Sequence, residues 1–425
     1  MKIKVEDVTY EEMLARQEKA SAAPRKRPKT PNPVLRKLVQ ALSKGELKKV
    51  NFTCEKDGME RLKEDEPCLI LMNHSSFIDL EIAEYLFADR PFQIVCTSDG
   101  FVGKEGVLRA IGCIPTQKFV TDVQLVKDMV YAAKKLGNSI LMYPEASYSF
   151  DGTATPLPKS IGKCVKLLGI PVVMVRTFGA FHRDPLYNGL QLRKVDVSAK
   201  MTYALSPEDI ESKSAGEIQK IIEQHFNFDH FAWQRDNGIK INEPFRADYL
   251  NRVLYKCPGC LTEGKMLGKG IYLVCKECGR QYALEENGQM KSLKGDTEFP
   301  HIPGWYEWER KCVREEIEKG SYLLDIPVDI CALVDMKSLC RIGEGRLVHN
   351  MEGFHLTGCD GKLDYRQKPS ESYSLYADYY WYELGDMICI GNNKILYYCF
   401  PKEQGDVVAK TRLACEELYN VVRHR

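Results

Sequence analysis

Cys68-Leu69-Ile70-Leu71-Met72-Asn73-His74-Ser75-Ser76-Phe77-Ile78-Asp79 decides how this chain folds. Its first five residues are continuously apolar, as in a strand buried on both faces. Phe77 to Ala88 then carries apolar residues at helical spacing. A strand running through a short turn into a helix is half of an α/β unit. The turn holds a histidine and, five positions on, an aspartate. Histidine accepts a proton near neutral pH, and a carboxylate can fix its tautomer and stabilise the imidazolium.

Outward from this stretch the alternation continues to about residue 205. Strands are expected at Phe92–Cys96, Ser139–Tyr143 and Pro171–Thr177, and helices at Asp122–Leu136 and Ser160–Leu168. The expected class is α/β, a mixed sheet flanked by helices. Upstream, residues 1–33 read as a polar basic arm with a short helix at Glu11–Ala20. Val34–Ser43 reads as a basic amphipathic helix opening the α/β domain, 34–250. Residues 251–295 form a cysteine module. Residues 296–425 are β-rich, with runs at 321–334, 345–358, 372–383, 386–391 and 394–400 before a final helix. Their pattern is compatible with a pleckstrin-homology-like barrel, which would offer a protein or lipid-headgroup partner a surface. A plain packing domain fits equally.

The 425 residues carry a formal net charge of +1, so no overall field favours nucleic acid. The charge is nevertheless uneven: nine Lys/Arg and one acidic residue, Glu46, lie between Arg25 and Lys49. A segment of that kind can rest on an anionic bilayer, or the helix can pack on its own domain. No run reaches the length needed to span a membrane, and the N-terminus lacks a signal-peptide core. A cytoplasmic protein, peripheral on the inner face of the membrane, is expected. Of the 16 cysteines, 12 are scattered singly, which fits a reducing compartment.

The other four are Cys257, Cys260, Cys275 and Cys278, two Cys-x-x-Cys knuckles with fourteen residues between them. Four thiolates suit tetrahedral zinc in a closed, structural site. With strands expected on either side, the module resembles a zinc ribbon. A pair of redox dithiols is the competing reading.

Three further segments follow the His/Asp turn in order. Ile111-Gly112-Cys113-Ile114-Pro115-Thr116-Gln117-Lys118 is a glycine-marked turn ending in a cation. Tyr143-Pro144-Glu145-Ala146-Ser147-Tyr148 follows a strand, and Ile170-Pro171-Val172-Val173 opens another. In this order, with Asn73-His74 and Asp79, they resemble the blocks of the glycerolipid acyltransferase family. The resemblance covers roughly residues 34–210. It implies a His74/Asp79 dyad that activates an acceptor hydroxyl for direct attack on an acyl thioester, acyl-CoA or acyl carrier protein. It also implies a lysophospholipid acceptor of 1-acylglycerol-3-phosphate type. Asn73, Gly112, Lys118, Pro144, Glu145 and Ser147 fall on the family's substrate-binding blocks, with Lys159 as an added phosphate-directed charge. Two positions depart from the pattern. Ala146 replaces the usual glycine, and Tyr148 stands where arginine is usual, which leaves the acceptor open. It also keeps a rival reading alive, a non-catalytic lipid-binding scaffold on the same fold.

Overall fold

The computed structural model describes residues 2–120, 122–402 and 406–423. The chain forms two compact units. One comprises Pro24–Asp184 and Leu192–His230; the other takes the described residues of Met1–Ala23, Pro185–Gln191 and Phe231–Arg425. The chain opens in the second unit with β1 (Val5–Asp7) and α1 (Tyr10–Ala22).

The first unit then runs α2 (Pro33–Lys49), β2 (Thr53–Asp57), β3 (Leu69–Met72), α3 (Asp79–Leu86), β4 (Phe92–Thr97), α4 (Glu105–Ala110) and β5 (Cys113–Thr116). It continues through α5 (Val123–Lys135), β6 (Ser139–Met142), α6 (Ile161–Leu168), β7 (Val172–Phe178), α7 (Ala180–Arg183), β8 (Ser198–Leu205), α8 (Pro207–Ser212) and α9 (Ala215–His225). The strands form one sheet in the order β2-β8-β7-β3-β6-β4-β5. β7, β3, β6, β4 and β5 run parallel, and β8 is antiparallel to β7. The mixed α/β expectation holds, and from β3 to β7 each anticipated strand and helix lies within two residues of its expected place.

β3 is central and buried along its whole length, as its unbroken apolar sequence requires. Leu69 and Leu71, on one face, join Met129 of α5, Val165 of α6 and Ile218 and Ile222 of α9 in a single core cluster. Because the five strands are parallel, the turns after β3, β5 and β6 emerge at one edge of the sheet. His74, Lys118 and Glu145 stand on those three turns.

α2 is longer than its periodicity suggested, reaching Lys49 because Leu47 repeats the buried face. Asn32 caps it, its side chain accepting the Val34 and Leu35 N–H groups. Its inner face buries Arg36, whose guanidinium pairs with Glu84 at 3.2 Å and lies over the Phe92 ring. Its outer face leaves Val34 (73 % exposed), Leu38 (57 %) and Leu42 (66 %) in a line. No described helix is long and apolar enough to cross a membrane.

Residues 1–33 are not a free arm. Val5–Asp7 pair in parallel with Leu339–Arg341, and Met13 of α1 is fully buried. The strap after them is extended but fixed to the first unit, through Arg25 to Asp128 (2.6 Å) and the Lys29 carbonyl to Gln93 (2.9 Å). Propensity missed this because the strap's partners are other parts of the chain.

α10 (His230–Asp236) starts on the last residue of the first unit, and the second unit continues with a four-stranded antiparallel sheet of β9 (Met266–Lys269), β10 (Tyr272–Cys275), β11 (Gln281–Leu284) and β12 (Met290–Ser292). α11 (Ile302–Glu318), which the sequence reading did not anticipate, precedes the larger sheet. That sheet holds β13 (Leu324–Leu333), β14 (Leu339–Asn350), β15 (Gly353–Gly358), β16 (Leu363–Gln367), β17 (Tyr376–Trp381), β18 (Gly385–Gly391) and β19 (Leu396–Pro401), and α12 (Val407–Arg423) closes the unit. Strand order is β16-β15-β14-β13-β19-β18-β17, antiparallel throughout, with β1 added to β14. The expected run 345–358 is thus a hairpin, the end of β14 and all of β15.

Candidate active site and metal centre

The turn between β3 and α3 is held by hydrogen bonds from every side. Nδ1 of His74 lies 3.0 Å from Oδ2 of Asp79. The same oxygen accepts the backbone N–H groups of Ser75 (2.7 Å) and Ser76 (3.0 Å). Three donors thus meet on one carboxylate oxygen. They also place the hydrogen of His74 on Nδ1, leaving Nε2 with a free lone pair. The His74 side chain is 19 % exposed, while Asp79 is buried.

Two tyrosines enclose the imidazole. Tyr143 stacks on it at 4.2 Å between ring centroids and 25°, and Tyr148 at 4.0 Å and 29°. Phe77, 54 % exposed, leans on Tyr148 at 5.5 Å. With both faces covered, the ring's edge is what a reactant can reach. Burial pushes the His74 pKa below its ordinary value; Asp79 opposes this, and the positive charge of Lys118 adds to it. His74 therefore rests as a neutral base at pH 7.

Glu145 is wholly buried. Its Oε2 accepts the His74 backbone N–H at 3.0 Å, and its Oε1 accepts the Thr155 N–H at 2.9 Å. These bonds brace the loops on either side of the histidine. The Ser149 N–H also donates to the His74 carbonyl at 3.3 Å, so the loop after β6 is fastened across the histidine. Pro144 and Ser147 are buried within that loop.

Ala146 sits in the loop with φ of +56°, the left-handed region that glycine occupies freely. A side chain there costs about 1–2 kcal/mol. Ala146→Gly should therefore raise stability by roughly 0.5–1 kcal/mol after the greater freedom of unfolded glycine is offset. Urea unfolding midpoints would show it, and a lowered midpoint would contradict it.

Other expected site residues are placed differently. Asn73 is buried and its amide is committed: Oδ1 accepts the Thr177 N–H (2.8 Å), while Nδ2 donates to Ser75 Oγ (2.8 Å) and Thr177 Oγ1 (3.1 Å). It ties the turn to β7. Gly112 precedes β5 and so lies at the opposite end of that strand from Lys118. A Cβ there would come within 2.6 Å of Pro31 and 3.0 Å of the Phe92 carbonyl. Glycine meets both this close packing and a φ of +98°. Lys159 is exposed just ahead of α6.

Three residues near the turn were not anticipated. Asp184 accepts a hydrogen bond from Ser76 Oγ and pairs with Arg183 at 3.0 Å; burial raises its pKa to about 7. His230 Nε2 lies 3.1 Å from Ser75 Oγ, and His182 Nε2 lies 2.9 Å from the His230 carbonyl. They lie some 100 to 155 positions from the turn, and nothing in their own neighbourhoods signals the connection.

With this geometry in view, residues 53–177 match the protein-family model described as Acyltransferase. That span begins at β2 and ends in β7, so it takes in the dyad, Lys118 and Glu145. Among solved structures, the chain is similar to the 1-acyl-sn-glycerophosphate (LPA) acyltransferase, PlsC, from Thermotoga maritima. The identity is 17%, the TM-score 0.37, and the match covers 44% of this chain and 76% of that one.

The second unit brings the four expected cysteines together. Their sulfurs all lie within 4.8 Å of one another, with Cys257 to Cys278 and Cys260 to Cys275 at 3.7 Å. A tetrahedron with zinc–sulfur bonds of about 2.3 Å has edges of about 3.8 Å, so the spacing fits zinc. The knuckles match each other: the Leu261 N–H donates to the Cys257 carbonyl at 2.8 Å and the Gly279 N–H to that of Cys275 at 2.9 Å. α11 holds the first knuckle from behind. Glu309 accepts the Lys256 N–H at 2.8 Å, and Trp305 donates to the Lys256 carbonyl at 3.1 Å.

Proposed function

We propose that this protein transfers a fatty acyl group from an acyl thioester to the hydroxyl of a lysophospholipid. The observation that carries the reading is the His74–Asp79 pair, with Nε2 of His74 left as the reactive edge inside a segment matched to acyltransferases. In the reaction, Nε2 takes the acceptor's hydroxyl proton as the oxygen attacks the thioester carbonyl. The tetrahedral intermediate then expels the thiolate, which recovers a proton from the imidazolium. Asp79 stabilises the imidazolium formed between these steps. Lys118 would meet a phosphate of the acceptor as a point charge. The acceptor of first choice is 1-acylglycerol-3-phosphate, and acyl-CoA and acyl carrier protein are the donors to compare. The test is acyl transfer by the purified chain to a panel of lysophospholipids. Transfer to no acceptor from either donor would favour a lipid-binding scaffold.

The four cysteines would hold one zinc ion, which would supply a fixed cross-link within the second unit. All four positions would be filled by thiolate, which suits a structural role. The larger sheet, with its order β16-β15-β14-β13-β19-β18-β17 and closing helix, supports the pleckstrin-homology-like reading for a lipid or protein partner.

The membrane reading rests on α2. Val34, Leu38 and Leu42 repeat every four residues along its exposed face, with Lys37, Lys44 and Lys48 beside them. Such a face would sink into the boundary of an anionic bilayer. Replacing all three with serine should weaken binding to anionic vesicles at least tenfold, since each buried aliphatic side chain contributes about 1 kcal/mol or more. Unchanged flotation would exclude α2 as the contact.

A further inference from the structure

We propose that His230 is a positioning residue for the His74–Asp79 dyad, acting through the Ser75 hydroxyl. The inference rests on the proposed reaction for its kinetic consequence, whereas its structural content stands apart from it.

Asp79 is aimed by the backbone N–H groups of Ser75 and Ser76. These residues lie between β3 and α3, in no regular element, so their conformation has to be imposed by side chains. For Ser75 the bonds can be assigned. The Thr177 N–H donates to Oδ1 of Asn73, which fixes that amide so that its Nδ2 donates to Ser75 Oγ. The Ser75 oxygen is thus an acceptor towards Asn73. Its hydrogen is left to point at Nε2 of His230, 3.1 Å away, and that nitrogen must then present a lone pair.

His230 is built to do this. It is buried, and its ring lies parallel to that of Phe181 at 5.3 Å and against Phe228 at 4.8 Å. Its backbone N–H donates to the Gly152 carbonyl at 2.9 Å, and its backbone carbonyl meets His182 Nε2, so the main chain that carries the ring is fixed on both sides. The charged and titratable groups that act on it are His182, Asp229 and Arg176. Burial dominates them and takes its pKa down to about 3, which keeps the ring neutral and Nε2 available. The chain of contacts runs His230, Ser75 side chain, Ser75 N–H, Asp79, His74. A one-ångström error at the end of such a chain can cost about a hundredfold in rate.

The test compares His230→Leu, His230→Gln and Ser75→Ala in the full chain. Glutamine reaches a similar point with an amide that can accept the Ser75 hydrogen, whereas leucine fills space without a polar atom. Two quantities are read: acyl-transfer kinetics, and the titration of the His74 ring by NMR, which needs no substrate. His74 is faced by Asp79, Lys118, Tyr143 and Tyr148, and only the Asp79 contact should change. Loosening it removes the group that raises the His74 pKa. Leucine and the Ser75→Ala change should therefore lower that pKa further and lower kcat about ten- to a hundredfold with KM within twofold. Glutamine should restore both to near wild type. The proposal is overturned if leucine or Ser75→Ala leaves the titration and kcat unchanged, or if glutamine behaves like leucine in a folded protein. Should His230→Leu fail to fold, Ser75→Ala decides the matter. Should the wild-type chain transfer no acyl group, the proposed reaction fails while the His74 titration still judges the linkage.

Discussion

His74→Ala is expected to lower kcat for acyl transfer by about 10²–10⁴-fold while leaving the protein folded. The imidazole is the one group on the turn with a free lone pair at an open edge, and alanine removes it without touching the backbone bonds that hold the turn. Glu145 would still accept the residue-74 N–H and Asp79 those of Ser75 and Ser76. Binding of the acceptor should change little, so the loss should fall on kcat more than on KM. The wild-type pH profile carries a linked expectation. Only neutral His74 can act as the base, and burial holds its pKa below the ordinary value of 6.5. The rate should therefore rise with pH on an acidic limb below 6.5 and be level above it, and it should be lost as pH falls through the folded value. Equal rates in wild type and His74→Ala would remove His74 as the base. A limb above 6.5 would contradict the burial argument.

The second large effect concerns the cysteines. The protein as purified should carry one zinc ion per chain, and Cys275→Ser should reduce this to well below one. Structural zinc contributes about 10–16 kcal/mol of apparent binding energy in small zinc-binding peptides. That is comparable with the whole stability of a domain, about 5–15 kcal/mol. Loss of the ion should therefore release β9–β12 from their packing, with a fall in thermal midpoint and new proteolytic cleavage between residues 257 and 278. A metal-free preparation with the same midpoint and protease resistance would count against the site. Reversible loss of thiols with no zinc present would instead favour the redox reading.

Much of this was legible from local pattern. β3 announced itself by four buried apolar residues in a row, and the helices by their period. The cysteine knuckles were legible because two-residue spacing constrains a metal cage so tightly. Other features share a cause. Asn73 and Gly112 were assigned to substrate on the strength of their blocks, and the structure adds that the amide of one is bonded to Thr177 and the other is packed under Pro31. Residue type and spacing place a residue near a site but do not say which way its polar atoms are spent. The short edge strands β2 and β5 and the helix α11 were missed because weak local preference there is outweighed by packing.

Tyr148 shows the division most clearly. As sequence, it was an absence, a missing arginine that left the acceptor open. As structure, it is a contact, a ring stacked on His74 at 4.0 Å.

The sequence by itself determined the alternation of elements, the His74–Asp79 spacing on one strand-to-helix turn, and the four thiols of the candidate metal centre. These are short-range properties, carried by period, turn chemistry and ligand spacing. Only the tertiary structure decided which groups hold that turn. Thr177 and Asp184 arrive from the end of β7 and the segment after it, which parallel pairing with β3 brings beside the turn, and His230 arrives from the start of α10; hydrogen bonds between such segments depend on position in space, which no local pattern records.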